Sequence, residues 1–528
     1  MIFKVRGSSA FQASRRWWLT HAGVLVSSAA FPFRLSDALA QAESSLNALP
    51  RVALVIGNTR YAEAPLKNPA NDARAMGAAL QKLGFNVDVK LEARRDEMVE
   101  AIRAYGSELG KRKSIGLFYY AGHGAQLAWR NYLIPVDVRI RNVSEMQSQA
   151  LDVSALLKNL TLARNPMNVI ILDACRDNPL GADVQVEQKG LSQIDAPPGT
   201  LLAYATAPGN VAADGAGENG LYTQHLLKEM LAPAEKIEDV FKRVRLNVRR
   251  QSQGQQIPWE STSLEEDFYF QPPRQLRKAT EQERDRKFEE ELAIWERIKD
   301  AKAPAQLEDY LRKYPSGVFS EVAQLRLDRV LAQSGEKRIE IRSAADNPFS
   351  KGTGRLNIRF KVGDRFQYRE SDLDTKKEIR TYTLRVTGIS DDEVSFNEGL
   401  LSSDLLGNPR KQSDGDQQTQ SQYYIPEYSV GKKWTTRYKL LKLDGRTFNG
   451  EYEFKVLGRD KITVPAGTFD AFHVEGNGRG EEAGSTLYLA YWMTPEIGRF
   501  IVRDYKRYSK ARKVTNNHRT ELLSYRQT

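Results

Sequence analysis

From Arg51 to about Phe270 the chain alternates short apolar, often β-branched runs with longer segments whose apolar residues recur at helical spacing. Val52–Ile56 ("VALVI") reads as a buried strand. A helix follows, capped at Asn71 or Asp72 and running to Leu83, with Ala75, Ala79, Leu80 and Leu83 at helical spacing and Gly84 just past its end. Phe85–Val89 is the next strand, Asp96–Leu109 the next helix, and Ser114–Tyr120 the third strand; Leu151–Leu162 then predicts a helix before the strand Val169–Leu172. This alternation predicts an α/β unit over residues 50–271, a mostly parallel sheet flanked by helices. Active sites of such sheets lie at the carboxyl ends of the strands.

Pro272-Pro273 closes that unit, and the pattern then changes twice. In residues 274–333, Phe288, Leu292, Trp295 and Ile298 form one apolar series and Val318, Val322, Leu325 and Val330 another, with Tyr314-Pro-Ser-Gly317 between them. A charged helical hairpin is predicted, resembling one unit of a tetratricopeptide-like array and serving as a connector or a docking helix pair. Beyond Gly335 the period becomes two: Leu356, Ile358, Phe360 and Val362 alternate with polar residues, Asp444-Gly445 marks a hairpin, and Tyr452, Phe454 and Val456 alternate again. Residues 350–528 are therefore expected to form an antiparallel β domain. Its segments "ITVPAGTFDAFHVE" and "YWMTPEIGRFIVRDY" resemble periplasmic half-barrel domains, and His473 reads as a core or edge residue rather than a ligand.

Composition narrows the function. With 41% apolar and 27% charged residues the chain is neither disordered nor a polytopic membrane protein. The net charge of +11 is spread among interleaved acids, as in Glu281–Lys287, which reads as a solvated surface and not a nucleic-acid partner. One Cys and five His exclude a thiolate-rich zinc cluster, and no phosphate-cradling glycine loop is present. No cofactor is called for, and no acidic cluster identifies a calcium site. Residues 1–16 carry Lys4, Arg6, Arg15 and Arg16 without an acid, then comes the apolar Trp17–Phe33, then Ala38-Leu-Ala40: over residues 1–40 this is the layout of a signal peptide with a twin-arginine-like Ser14-Arg-Arg-Trp-Trp-Leu19. Pro32, Arg34 and Asp37 leave the run too short to span a bilayer. Cleavage near Ala40, export to a periplasmic or extracytoplasmic location, and no integral span thereafter are expected.

In that oxidising setting the one cysteine, in "NVIILDACRDNP", has no partner within the chain. A thiol nucleophile needs a base, donors for the oxyanion, and access. One predicted strand ends in Ala121-Gly-His-Gly124 and another in Asp173-Ala-Cys175, so a parallel sheet brings His123 and Cys175 to the same edge. Alone, each is more often a structural residue; together they specify a dyad.

"YYAGHGAQ" and "ILDACRDNP" resemble the caspase and metacaspase peptidase family in its bacterial branch, as do "GNTRYAEAPLKNPANDA" and "AYATAPGNVAADGAGENGLYTQHLL". The 52-residue spacing of His123 and Cys175 fits the caspase pattern of about 50. The resemblance implies a cysteine-type endopeptidase with Cys175 as nucleophile, His123 as base and then acid, and the backbone amides of Gly124 and Cys175 as the oxyanion hole. Gly122 and Gly124 are expected to let the chain approach a substrate closely. Asp173, two residues before the cysteine as in metacaspases, implies a pocket for Arg or Lys, with Asp214 a second acidic member. A turn-capping Asp173 and an ordinary Asp-Gly turn at Asp214 are the structural alternatives. The family pattern is left at Arg176–Pro179, and a basic-specific pocket would allow self-cleavage after Lys189. Expected partners are protein or peptide substrates with basic residues. The other reading is a catalytically quiet caspase-fold scaffold that binds an envelope partner through its C-terminal modules.

Overall fold

The computed structural model describes residues 46–174, 190–208, 210, 217–274, 277, 279–336, 347–357, 360–480 and 484–528. Nine strands build the first unit: Arg51–Gly57 (β1), Phe85–Leu91 (β2), Ile115–Ala121 (β3), Gly124–Leu127 (β4), Arg130–Leu133 (β5), Leu151–Asp152 (β6), Met167–Asp173 (β7), Thr200–Tyr204 (β8) and Trp259–Thr262 (β9). Six of them form one sheet in the order β2-β1-β3-β7-β8-β9, parallel throughout except for β9. The expected mostly parallel sheet with helices on it is present. Every residue of β3 is buried, and only the last residue of β7 is partly exposed. Such strands lie between two helical layers, which explains why the sequence shows continuous apolar runs there and not alternation.

On one face the helices Pro69–Lys82 and Leu221–Met230 pack together, and on the other Arg95–Arg112 packs on Val153–Ala163. The first of these helices starts earlier than the sequence reading has it. Pro69, whose ring fixes a helical φ, occupies the first turn behind Asn68. Asp72 therefore sits inside the helix, buried, and not at its cap. A second difference lies between β3 and the helix Val153–Ala163, where β4, β5 and β6 form a small antiparallel sheet with a short helix, Val143–Gln149, between β5 and β6.

The helical connector is present, with a short extra helix, Pro304–Lys313, between Glu281–Ile298 and Ser320–Gln333. Its core stacks Trp295 on Phe319 with ring centroids 5.6 Å apart. The antiparallel β domain closes into a barrel, since Arg365–Asp372 pairs both with its neighbour Glu378–Ile389 and with the C-terminal strand Val514–Arg526. The interior holds aromatic side chains, among them Tyr368, Tyr428, Phe454, Phe472 and Tyr491. Buried Arg437 of the barrel ties the connector to it, pairing with Glu281 and Asp285 at 2.9 and 2.7 Å, and it also pairs with Glu451 within the barrel at 2.7 Å. The chain just ahead of the barrel meets the first unit at Trp259, whose ring lies under the guanidinium groups of Arg245 and Arg355, each 5.5 Å from its centroid. Among the described residues no helix is long and apolar enough to cross a membrane.

Candidate active site

β3 and β7 run in register to their ends, Ala121 opposite Asp173, and the Gly122 N–H donates to the Asp173 carbonyl at 3.3 Å. The two strands thus leave the sheet side by side, one into Gly122-His123-Gly124 and the other into Asp173-Ala174. Cys175 itself, and with it the Cys175 amide, lies outside the described residues, as do Lys189 and Asp214.

His123 is almost fully buried and held from all sides. Its backbone N–H donates to the Tyr61 hydroxyl at 2.9 Å, and its carbonyl accepts from the Tyr120 hydroxyl at 2.8 Å and from the Ile134 N–H at 3.0 Å. The Tyr61 ring lies 4.3 Å from the imidazole. Nε2 of the imidazole lies 2.7 Å from the Ala64 carbonyl oxygen. A carbonyl can only accept, so Nε2 carries the proton and Nδ1 carries the lone pair in the neutral ring.

The loop that presents Ala64 is itself fixed. The Glu92 carboxylate accepts the N–H groups of Thr59 and Arg60 at 2.9 and 2.8 Å, Thr59 Oγ1 accepts the Ala70 N–H at 2.9 Å, and Asn58 Oδ1 accepts from the Ala93 N–H at 2.9 Å. Burial pushes the hydroxyls of Tyr61 and Tyr120 well above the usual phenol range, so both stay neutral donors.

The space beside each of the two glycines flanking His123 is bordered by the protein's own atoms. A Cβ on Gly122 would fall 2.6 Å from the Tyr61 hydroxyl and 2.7 Å from that of Tyr120. The missing side chain is the room those two hydroxyls use to hold the histidine. A Cβ on Gly124 would fall 3.0 Å from the Ala174 carbonyl oxygen and 3.1 Å from Leu191 Cδ2. Gly124 thereby lets the residue before Cys175 pack against the residue after His123. The Ile134-to-His123 bond also makes Gly124 and Leu133 a non-hydrogen-bonded pair of the β4–β5 ladder, which directs the Gly124 N–H away from β5.

Asp173 is on the opposite face of the sheet from the groups that hold His123. Its Oδ2 accepts from Thr223 Oγ1 at 2.8 Å, and the Tyr119 hydroxyl lies 3.4 Å from Oδ2 and 2.6 Å from Thr223 Oγ1. A second carboxylate, Asp72, lies in the same region: its Oδ1 accepts from Asn219 Nδ2 and the Gly220 N–H, both at 2.9 Å. Burial first, then the charges of Asp173 and Asp72, push the Tyr119 hydroxyl far above the phenol range. Sequence reasoning missed Asp72, Tyr61, Tyr119, Tyr120 and Thr223 as members of the site. The quoted segments contain Tyr61, Asp72 and the tyrosine pair, and period two along β3 sends the paired tyrosines to opposite faces.

Residues 50–269 match the family model described as the caspase domain. The mucosa-associated lymphoid tissue lymphoma translocation protein 1 of Homo sapiens is 31% identical over 192 residues, which cover 35% of this chain and 22% of that protein. Caspase-1 of Rattus norvegicus is 24% identical over 248 residues, 42% of this chain and 60% of the relative. The chain thus spans about a fifth of the length of the first and three fifths of the second.

Proposed function

Because residues 50–269 belong to the caspase and metacaspase-like family of cysteine peptidases, we propose that this chain is an endopeptidase cutting after Arg or Lys through a Cys175–His123 dyad. The observation that carries the reading is the imidazole with Nε2–H bound to the Ala64 carbonyl, at the end of a strand whose neighbour leads two residues later to Cys175. A histidine so held has Nδ1 as its basic nitrogen and its ring fastened to the loop of Ala64.

In the proposed reaction Nδ1 takes the thiol proton and the thiolate attacks the scissile carbonyl carbon. The C–S bond forms as the carbonyl electrons move onto oxygen, where the N–H groups of Gly124 and Cys175 receive the charge. Collapse breaks the C–N bond, and the imidazolium protonates the departing amine. Water, deprotonated by His123, then attacks the thioester and returns the thiolate. Asp173 binds the basic side chain ahead of the scissile bond, with Asp72 adding negative charge to the same region. A partly desolvated carboxylate suits a guanidinium through charge-assisted, two-pronged hydrogen bonds. The N-terminal pattern around Arg15 and Arg16 supports export, which fractionation of the source cell would test.

Fluorogenic peptides ending in Arg, Lys or Asp, offered with and without calcium, test the proposal beside Cys175→Ala and His123→Ala. Turnover of the Arg and Lys peptides is expected, lost by about 10³-fold or more in either variant. Cleavage after Asp alone would overturn the specificity and leave the dyad. Absence of any Cys175-dependent turnover would favour the scaffold.

A further inference from the structure

Gly190–Asp195 is the first described chain after the stretch that begins at Cys175. It has no regular secondary structure, yet Gly190 through Ile194 are buried. A buried irregular segment must find partners for its peptide groups outside itself. Asn131 on β5 supplies one pair, accepting the Ser192 N–H at 2.7 Å and donating to the Ser192 carbonyl at 2.8 Å. The other partners come from residues 347–353, beyond the end of the caspase match. Asn347 Nδ2 donates to the Gln193 carbonyl at 2.9 Å and to Ser192 Oγ at 3.2 Å, and the Asp195 N–H donates to the Phe349 carbonyl at 2.7 Å. The Asp195 carboxylate accepts from the Gly352 N–H at 2.6 Å and from the Thr353 hydroxyl at 2.9 Å. Phe349 packs on the core of the first unit, with the Arg130 guanidinium 5.1 Å above its ring.

This strap is in turn fastened to the barrel. Arg459 Nη1 donates to the carbonyls of Lys351 and Thr353 at 3.1 and 3.0 Å. Its guanidinium lies 4.8 Å from the Phe472 ring centroid and pairs with Asp470 at 2.9 Å. At the other end of the line Leu191, fully buried, packs against Gly124 next to His123, on the same spot that Ala174 touches. Both described ends of the stretch that contains Cys175 therefore converge on Gly124. One end is set by β7; the other is set by Asn131 of β5 together with the strap.

We propose that Asn347–Thr353 is a positioning element of the peptidase site, through which the C-terminal barrel completes in cis a wall that residues 50–269 do not complete alone. The proposal rests on the peptidase reading of that site, and its residues act through Leu191 and Gly124 without touching substrate. Releasing the strap lets Leu191 withdraw from Gly124, which shifts the Gly124 amide relative to His123 and slows the chemical step more than it weakens binding.

Asn347→Ala and Thr353→Val in the full chain test this, with Thr353→Ser as the conservative partner. The expected result is a kcat at least tenfold below wild type in the first two variants, KM within threefold, and Thr353→Ser within twofold of wild type on both. Alkylation of Cys175 by iodoacetamide at pH 7 gives a readout independent of turnover, since the chain has no other cysteine; it is expected to slow at least fivefold in the same two variants. Unchanged kcat and alkylation in folded Asn347→Ala and Thr353→Val would overturn the proposal, as would a loss that Thr353→Ser does not restore. A wild type that alkylates but cleaves no peptide would count against the peptidase reading, and the alkylation comparison alone would then decide the strap.

Discussion

Tyr119 and Tyr120 are neighbours on one strand, both fully buried, and they serve opposite sides of the sheet. The Tyr120 hydroxyl reaches the His123 and Ile134 carbonyls, whereas that of Tyr119 reaches Thr223 and Asp173. The difference teaches how the site is divided. The groups that hold His123 lie on the face of β3 that carries the Arg95–Arg112 helix, and those that hold Asp173 lie on the face that carries Leu221–Met230. A single strand joins the two regions, and its two tyrosines send their hydroxyls to opposite faces. Rate and specificity should then respond to different substitutions.

The sharpest break in that division is Asp173→Asn. Removing the charge while keeping the shape should cost Arg and Lys peptides about 100-fold in kcat/KM, the size of one lost charged hydrogen bond. Peptides with a neutral residue at that place should change less than threefold, and alkylation of Cys175 should keep its wild-type rate. Equal losses on all peptides would mean that Asp173 supports the dyad instead. Tyr120→Phe comes next and tests the other face. It removes the donor to the His123 carbonyl and should lower kcat about tenfold on every peptide, since a small displacement of a base carries a large rate penalty. A change confined to basic peptides would join the two regions that the fold holds apart.

Most of this architecture was legible in the sequence, and the failures have physical causes. β3 and β7 are covered on both faces, so they appear as unbroken apolar runs, and the in-register pair Ala121 and Asp173 follows from where those runs end. The β4–β5 hairpin was not legible because its two-residue turn carries Ala128 and Trp129 at φ of 49° and 64°. Such turns normally announce themselves with Asn or Gly, which adopt positive φ at little cost. The helix Pro304–Lys313 was absorbed into the connection, although Pro304 marks its first turn. That Tyr61 borders Gly122 and Leu191 borders Gly124 was not legible, because both reach the glycines from distant parts of the chain. The closure of the barrel by Arg365–Asp372 and Val514–Arg526 is likewise a long-range pairing that no local pattern encodes.

The smallest effect is also the most discriminating. Tyr119→Phe leaves Asp173 its direct bond from Thr223 and takes away the 3.4 Å contact to Asp173 together with the 2.6 Å bond to Thr223 Oγ1, so a rise in KM of about threefold for basic peptides is expected with kcat unchanged, the cost of a neutral hydrogen bond. Its pH dependence carries the sign of the argument. Burial raises the Tyr119 hydroxyl far above its ordinary range, and the neighbouring charges of Asp173 and Asp72 push it the same way. The phenol accordingly remains protonated through neutral and moderately alkaline pH and contributes no titration there. The pH profiles of kcat and kcat/KM for Tyr119→Phe should therefore superimpose on those of wild type after scaling, and the same should hold for Tyr120→Phe, whose hydroxyl is raised for the same reason. A moved alkaline limb in Tyr119→Phe alone would mean that this hydroxyl exchanges a proton with the acidic region, and the two faces of β3 would then differ in chemistry as well as in what they hold.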